Sequence, residues 1–329
     1  MDIEYREEKI YNSISRYSSM KSVVIYILLI GSVCSTMYFW MKANESSRQF
    51  QNNIAEYPYL SPRILRERKN DFIFNFLDLR ADLRNKVVEF NDEFALYFEY
   101  LPTGTSIAIN PNREFFAASL FKLPVVMAYF RHKEKSNSKN DMKVILTEEM
   151  IDDRFGDLWT KGAGYEISLD EAAKLTLTKS DNTAANALIK AIDQEDFDDV
   201  YQGLDIDIQV ASQGAIMTAK NYSSILKALY FSAVLTKEDS QQILKYLTES
   251  EFNDKLVAGV PSGVPVAHKI GVLNKDSYRD CGIVYVPNRP YLLCMIALGN
   301  EAKARERMSE ISRLVYKYVS TAKNAIINN

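Results

Sequence analysis

The chain has 329 residues, 47% of them hydrophobic and 25% charged, with a formal net charge of −3. This is globular composition, which excludes a disordered or fibrous chain, and no Lys/Arg-rich block provides an electrostatic footprint for nucleic acid. Only two histidines occur, His132 and His268; neither sits in a triad or zinc pattern, G-x-S-x-G and H-E-x-x-H are absent, and no metal or organic cofactor motif is visible.

In chain order, residues 1–21 read as a polar tail. Ser22 to Met41 then carries no charge between Lys21 and Lys42, is most apolar over Val23–Ile30, and ends in Tyr38, Phe39 and Trp40. Such a stretch makes about 30 Å of helix, the thickness of a bilayer core, and its terminal aromatics match an interfacial belt. The apolar run is long for a signal peptide and no A-x-A site follows, so a retained single transmembrane helix is expected over 22–41. Arg6, Lys9, Arg16 and Lys21 precede the stretch, while Lys42 and Arg48 follow it closely. The N-terminus is therefore expected in the cytoplasm and the globular part outside, with Arg63, Arg66, Arg68 and Lys69 counting against that orientation. Residues 42–62, with Pro58 and Pro62, read as a linker, and 63–329 as the globular domain.

That domain opens with a helix through about Phe90, marked by Phe72, Phe76, Leu79, Leu83 and Val87 at helical spacing. Phe94–Tyr100 and Ser106–Asn110 read as a hairpin around Pro102-Thr103-Gly104. A helix through Arg131 follows Ser119, and because Pro124 is tolerated only near a helix start, Ser119 is expected at its N-terminus. Ser168-Leu169-Asp170-Glu171 is a capping box for a helix to about Lys179, and another helix runs from Thr183 to Ile192. Ala219–Phe231 and Lys237–Leu247 read as helices, Ala267–Val272, Cys281–Val286 and Tyr291–Ala297 as strands, and Glu301–Val319 as a closing helix. Strands from both chain ends must therefore share one sheet beside a helical middle.

Of the three cysteines, Cys34 lies in the apolar stretch and the others on neighbouring strands. If Val286 faces Tyr291 across the turn Pro287–Pro290, Cys281 faces Ile296 and Cys294 faces Ile283. The sulfurs are then only diagonal neighbours, and all three thiols are expected to be free.

Three motifs carry chemistry. In Ser119-Leu120-Phe121-Lys122 the two polar groups share a helix face; serine needs a base to become a nucleophile, and a lysine serves once burial or a nearby positive charge lowers its pKa. Ser180-Asp181-Asn182 lies at a helix junction. Ser180 can relay a proton, Asn182 can hold a substrate carbonyl or Lys122, and Asp181 reads as an N-cap. On its own this tripeptide reads first as a capping motif. In His268-Lys269-Ile270-Gly271, alternation separates Lys269 from His268, so that Lys269 can face a cleft while His268 packs or is solvated, and Gly271 admits a substrate close to the strand.

The order S-x-x-K, S-D-N and K-x-G resembles the class A β-lactamase and penicillin-binding serine hydrolase superfamily. The resemblance extends over Phe115–Pro124, Leu175–Leu188, Val264–Lys269 and Asp280–Tyr285, and spans about Phe72 to Tyr318. It implies an α+β fold with a five-stranded antiparallel sheet flanked by helices, plus an all-helical subdomain. It implies Ser119 as acylated nucleophile, Lys122 as its base and Ser180 as proton relay. Asn182 and Lys269 would bind substrate beside Gly271 and Val272, with the N–H groups of Ser119 and Val272 as oxyanion hole. Implied partners are a β-lactam or a cell-wall D-amino-acid peptide or ester.

The chain departs from that family in two places. Ile270 stands where a hydroxyl residue is usual, which leaves carboxylate recognition to Lys269 and Ser180. The segment Ile192–Met217 lacks the Glu-x-x-Leu-Asn of the deacylation step; Asp205, Asp207, Gln209 and Gln213 are its nearest polar residues, and Glu166 lies upstream of Ser180. Acylation without efficient β-lactam turnover is the expectation. Two other readings are an acylated membrane sensor and a non-catalytic scaffold.

Overall fold

A computed structural model of the chain describes residues 27–45, 48, 76–91, 93–136, 142–204, 209–211 and 214–321. The chain divides into a unit of residues 1–71 and a unit from Phe72 to Asn329. In the first, residues 27–45 form a helix whose Ile27, Leu28, Leu29, Ile30, Phe39 and Trp40 side chains are exposed. It runs past the expected end at Met41 into the stretch read as linker. Ser22–Tyr26 and most of 42–62 lie outside the described residues, and among the described residues no helix is long and apolar enough to cross a membrane.

The second unit begins, within the described residues, with helix α1 (Leu77–Glu89), which buries Leu79, Leu83 and Val87 as the periodicity predicts. Strands β1 (Phe94–Tyr100) and β2 (Thr105–Ile109) form the expected hairpin. Three strands from the far end of the chain, β8 (Val266–Leu273), β9 (Ser277–Val284) and β10 (Tyr291–Leu298), join them in one antiparallel sheet ordered β2-β1-β10-β9-β8. All seven residues of β1 are buried because both faces of the sheet are covered. One face carries Leu96, Phe98, Leu293 and Met295 against α1 and the closing helix α8 (Glu301–Thr321). The other carries Ala95, Tyr97, Cys281, Ile283, Leu292 and Cys294 against the helical lobe.

That lobe contains α2 (Lys122–Lys135), α3 (Leu169–Thr178), α4 (Asn182–Ala191), α5 (Gln194–Gln202), α6 (Ala219–Tyr230) and α7 (Lys237–Thr248). Ser168 caps α3 as predicted, its side chain accepting from Glu171 N. The ribbons of β3 (Phe115–Phe116), β7 (Gly214–Met217) and β6 (Gln209–Ala211), and of β4 (Lys143–Ile145) and β5 (Glu166–Ser168), were not expected. Strands of two to four residues are too short to display a period.

The cysteine expectation is overturned. Cys281 and Cys294 are disulfide-bonded. The expected register placed Val286 opposite Tyr291, whereas the structure pairs Val284 with Tyr291 and hence Cys281 directly with Cys294. The turn is longer than the Pro-Asn-Arg-Pro tetrapeptide, and a two-residue slip keeps every side chain on its face while changing its partner. Cys34 is a free thiol, as expected.

Candidate active site

Ser119 lies in a 3₁₀ turn, Ala118–Phe121, that leads directly into α2. Pro124 falls in the first turn of α2, where its missing N–H leaves no acceptor unserved. The chain reaches the turn through β3, continued by Ala117 N donating to Ala215 O at 2.8 Å. Ala118 then adopts φ +49°, a left-handed conformation worth about 1–3 kcal/mol of strain for a residue with a side chain. Buried Leu120 anchors the turn. Ser119 itself is half-buried, and among the described residues its hydroxyl has no hydrogen-bond partner.

The other motif residues converge on one buried cluster. Lys122 Nζ donates to the carbonyl of Ser180, to Ser180 Oγ at 3.3 Å and to Asn182 Oδ1 at 2.5 Å. From the opposite side, Lys269 Nζ donates to Ser180 Oγ at 2.9 Å and to Ile270 O at 3.2 Å. Burial pushes Lys122 down to about 8, opposed by the carboxylates of Asp181 and Asp152. Burial, reinforced by the Lys122 charge, holds Lys269 well below the ordinary lysine range.

Asp181 shapes this junction. Fully buried, its carboxylate accepts from Ala184 N at 2.8 Å, capping α4 as expected, and also from Asp157 N at 2.8 Å and Leu158 N at 2.9 Å. Those contacts tie the loop 152–158 to the second motif. Ser180, wedged between α3 and α4, has φ +55°. Asn182 N donates to Phe155 O at 3.0 Å, and Asn182 Nδ2 donates to Asp152 Oδ1 at 2.9 Å. Neither Asp152 nor its loop was singled out in the sequence, since no motif marks residues thirty positions upstream of their partner.

The third-motif strand passes along the nucleophile turn. A Cβ at Gly271 would meet Ala117 O at 3.0 Å and Leu120 Cγ at 3.3 Å, so the glycine allows β8 to run against the turn. Val272 follows on the same strand, and Ile270 is buried. His268 is buried rather than solvated, with Nδ1 2.8 Å from Asp280 Oδ1. A Cβ on Gly282 would lie 2.5 Å from His268 Cβ and 2.7 Å from Ala267 O, so that glycine lets β9 lie against β8 at His268.

Arg279 is the cationic residue that the motif reading missed. It pairs with Gly271 across β8 and β9, and its Cδ comes within 3.2 Å of where a Gly271 Cβ would stand. Strand alternation therefore puts it on the face that Lys269 shares. It is 1% exposed; its guanidinium stands over the Phe115 ring at 5.5 Å, one nitrogen donates to Ser277 O, and Nε has no partner. Burial lowers it to about 10, and among the described residues no carboxylate pairs with it. Its position opposite Gly271 was the signal that could have found it.

Glu166 is engaged by Lys143 on the β4–β5 ribbon and is no part of the cluster. Asp205, Asp207 and Gln213 lie outside the described residues, as does the side chain of Gln209. His132, Asp193 and Asp196 could jointly ligate a cation, but Lys135 already places its ammonium 3.4 Å from Asp196 Oδ1.

A half-buried serine at a helix start, with two buried lysines meeting at a second serine, is an arrangement suited to serine acyl transfer. The sequence model of the Beta-lactamase enzyme family matches residues 78–319, and the chain belongs to that family. Beta-lactamase 1 of Bacillus cereus is 23% identical over 247 residues, covering 70% of this chain and 80% of its own. A β-lactamase of Bacillus amyloliquefaciens is 25% identical, covering 63% of this chain and 72% of its own. Among solved structures, a PBP-A mutant in an acyl-enzyme complex with penicillin G superposes with a TM-score of 0.67 at 22% identity, over 73% of this chain and 95% of that one. A β-lactamase from Sphaerobacter thermophilus does so with a TM-score of 0.69 at 19% identity, over 76% and 100%.

Proposed function

We propose that the protein forms an acyl-enzyme at Ser119 with a β-lactam or a cell-wall D-amino-acid peptide or ester. The observation that carries this is the meeting of Lys122 and Lys269 on Ser180. A neutral lysine has two N–H groups and one lone pair. The Ser180 carbonyl and Asn182 Oδ1 take the two N–H groups, which frees the lone pair for the Ser119 proton. Ser119 Oγ then bonds to the acyl carbon, and the Lys122 amine takes the hydroxyl proton. The N–H groups of Ser119 and Val272 serve as donors to the developing oxyanion.

Collapse of that adduct breaks the bond to the leaving nitrogen or oxygen, which takes its proton from Ser180. Once it has taken the Ser119 proton, Lys122 has a third N–H for Ser180 Oγ; with Lys269 on the other lone pair, the Ser180 hydrogen points away from both, towards substrate. Ser180 recovers a proton from Lys122. Lys269 and Arg279 supply positive charge for a substrate carboxylate, in place of the hydroxyl missing at Ile270. A buried guanidinium that feels the Asp276 charge but has no carboxylate within ion-pair distance among the described residues is costly, and such a perturbed group is a mark of a binding site.

The segment 192–217 lacks the Glu-x-x-Leu-Asn pattern, so the acyl-enzyme is expected to persist. This also favours a second reading, an acylated sensor without turnover, which hydrolysis of a generic ester would separate from an enzyme. We place the domain outside the cytoplasmic membrane behind an anchor at Ser22–Met41. The uncharged run supports the anchor, and the Cys281–Cys294 disulfide supports an oxidising compartment.

The test is intact mass of the full-length chain against time with a reporter penicillin. A lasting adduct on Ser119, absent in Ser119→Ala, supports the reading. Rapid penicillin loss without an adduct indicates an unrecognised water-activating group. Neither adduct nor loss, or an adduct that survives Ser119→Ala, defeats it.

A further inference from the structure

Asn182 touches Lys122 with one end of its amide and Asp152 with the other. The carboxylate of Asp152 only accepts hydrogen bonds, so it must face Nδ2, and this turns Oδ1 towards Lys122. Without such a partner an amide has two nearly equivalent orientations, and the flipped one would aim N–H groups at the lysine.

Asp152 is well placed to hold that orientation. Its backbone is clasped by Thr183 Oγ1, which accepts from Asp152 N at 3.0 Å and donates to Asp152 O at 3.2 Å. Its loop is bound to Asp181 and Asn182 through Asp157, Leu158 and Phe155. Asp152 is 14% exposed, whereas Arg154, which grips it from outside, is 78% exposed. Arg154 N donates to Asp152 Oδ1 at 3.0 Å, Arg154 Nε stands 3.0 Å from each carboxylate oxygen, and a terminal guanidinium nitrogen donates to Oδ2.

We propose that Asp152 and Arg154 form a positioning pair behind Asn182, which orients the amide towards Lys122 and sets the pH at which the Lys122 amine can accept the Ser119 proton. Asp152 and Arg154 are positioning residues in this scheme, since neither touches the reacting atoms, and the proposal rests on the reading of Lys122 as base. The charged groups around Lys122 are Asp181 from the start of α4, Lys269 from β8 with Asp280 behind it, and the Asp152–Arg154 pair from the loop. Asp181, Lys269 and Asp280 are fully buried and fixed by their hydrogen bonds. Arg154 is the exposed member of the set. The Asp152 anion favours protonated Lys122, and the Arg154 cation opposes it. Arg154 thus offsets part of the Asp152 effect, which favours neutral Lys122 at lower pH.

The experiment measures Ser119 acylation against pH in the full-length chain with a reporter penicillin, for wild type, Asp152→Asn, Arg154→Gln and Asp153→Asn. Acylation fails where Lys122 is protonated, so the acid limb follows its pKa. Asp152→Asn removes the charge that raises this pKa and moves the limb down by roughly half a unit or more; Arg154→Gln moves it up by a similar amount. Asp153→Asn, an exposed neighbour that does not reach Asn182, moves it less. Shifts in opposite directions establish the pair. A uniform drop in rate with an unmoved limb, or equal shifts in all three variants, overturns it. Lys122 is also titrated directly by NMR of ¹³C-labelled lysine, assigned by its loss in Lys122→Met. This reads the pair even if no penicillin acylates the protein, in which case the acylation reading fails and the electrostatic one stands or falls on the titration alone.

Discussion

Lys269 Nζ donates to Ser180 Oγ at 2.9 Å, closing a contact between residues 89 positions apart. It links the helical lobe to the edge strand of the sheet across the cleft, and it places a second cation beside Lys122. Burial and the Lys122 charge together disfavour the ammonium of Lys269, and burial disfavours that of Lys122. A lowered Lys122 is the condition under which it can act as a base.

Lys269→Met and Ser180→Ala should each slow acylation of Ser119 by about 10²–10⁴-fold, the range for losing a positioned proton-transfer group. Because the two residues act through one hydrogen bond, the double variant should cost little more than the worse single one. Stopped-flow acylation of the four proteins measures this. A multiplicative double variant would show that Lys269 and Ser180 act independently.

The pH dependence follows from Lys122. Its folded value of about 8 lies below the ordinary 10.5, so acylation should rise as pH increases through about 8. Between those two values the unfolded chain binds more protons than the folded one, and stability therefore rises with pH there, fully gained above 10.5. Below about 8 the penalty for the buried charge is at its largest, about 3 kcal/mol at most by conversion of the shift. Relative to Lys122→Met, wild type should gain stability across that window in urea titrations at successive pH values. A flat difference would mean that Lys122 is not desolvated.

Arg279→Gln should reduce acylation by a carboxylate-bearing penicillin at least tenfold more than acylation by an uncharged ester, since a charge-assisted bond is worth about 1.5–3 kcal/mol. Equal losses on both substrates would assign Arg279 to packing on Phe115 instead.

The chemistry of this protein was legible in its sequence where a residue's role depends on near neighbours. Ser119 and Lys122 share one turn, Pro124 marks the start of α2, and Ser168 with Glu171 caps α3, all interactions spanning a few residues. That strands from both chain ends share a sheet was legible because the apolar runs at Phe94–Tyr100 and after Ala267 need partners to bury both faces. Contacts set by register or by loop conformation were not. Cys281 meets Cys294 only because Tyr291 pairs with Val284, a choice that alternation alone leaves open. Arg279 and Asp152 reach the site by pairing across a strand and by crossing a loop, and neither leaves a periodic trace. Helix α5 was missed because Gln194–Gln202 buries only Asp196 and Val200.

The disulfide makes its own prediction. Full-length protein denatured without reductant should carry one alkylatable thiol, Cys34, and three after reduction. The Cys281–Cys294 bridge closes a short loop, with a sequence separation of 13, so the Cys281→Ala/Cys294→Ala variant should lose about 2–4 kcal/mol in denaturant unfolding. Three reactive thiols without reductant would mean the bridge does not form in solution.

Gly156→Ala tests how the loop 152–158 is coupled to the second motif. Gly156 has φ +84°, and a Cβ there would lie 2.0 Å from Asp181 Oδ2. That oxygen cannot retreat freely, since it accepts from Asp157 and Leu158 while Oδ1 caps α4. The substitution adds the left-handed penalty of about 1–2 kcal/mol to a damaged cap worth about 0.5–2 kcal/mol, for a loss near 3 kcal/mol. Gly162, at φ +73° and ψ 172° with open space where a Cβ would stand, is a strict comparison, because Gly162→Ala incurs a backbone penalty at least as large without touching Asp181. Displacing Asp181 also moves Ser180 and Asn182 on either side of it. Gly156→Ala should therefore slow acylation at least tenfold under conditions where it remains folded, while Gly162→Ala, matched for folded fraction, should not. If both variants acylate at the wild-type rate once unfolding is corrected for, the loop is a passive neighbour of the site and Asp181 fixes the motif without it.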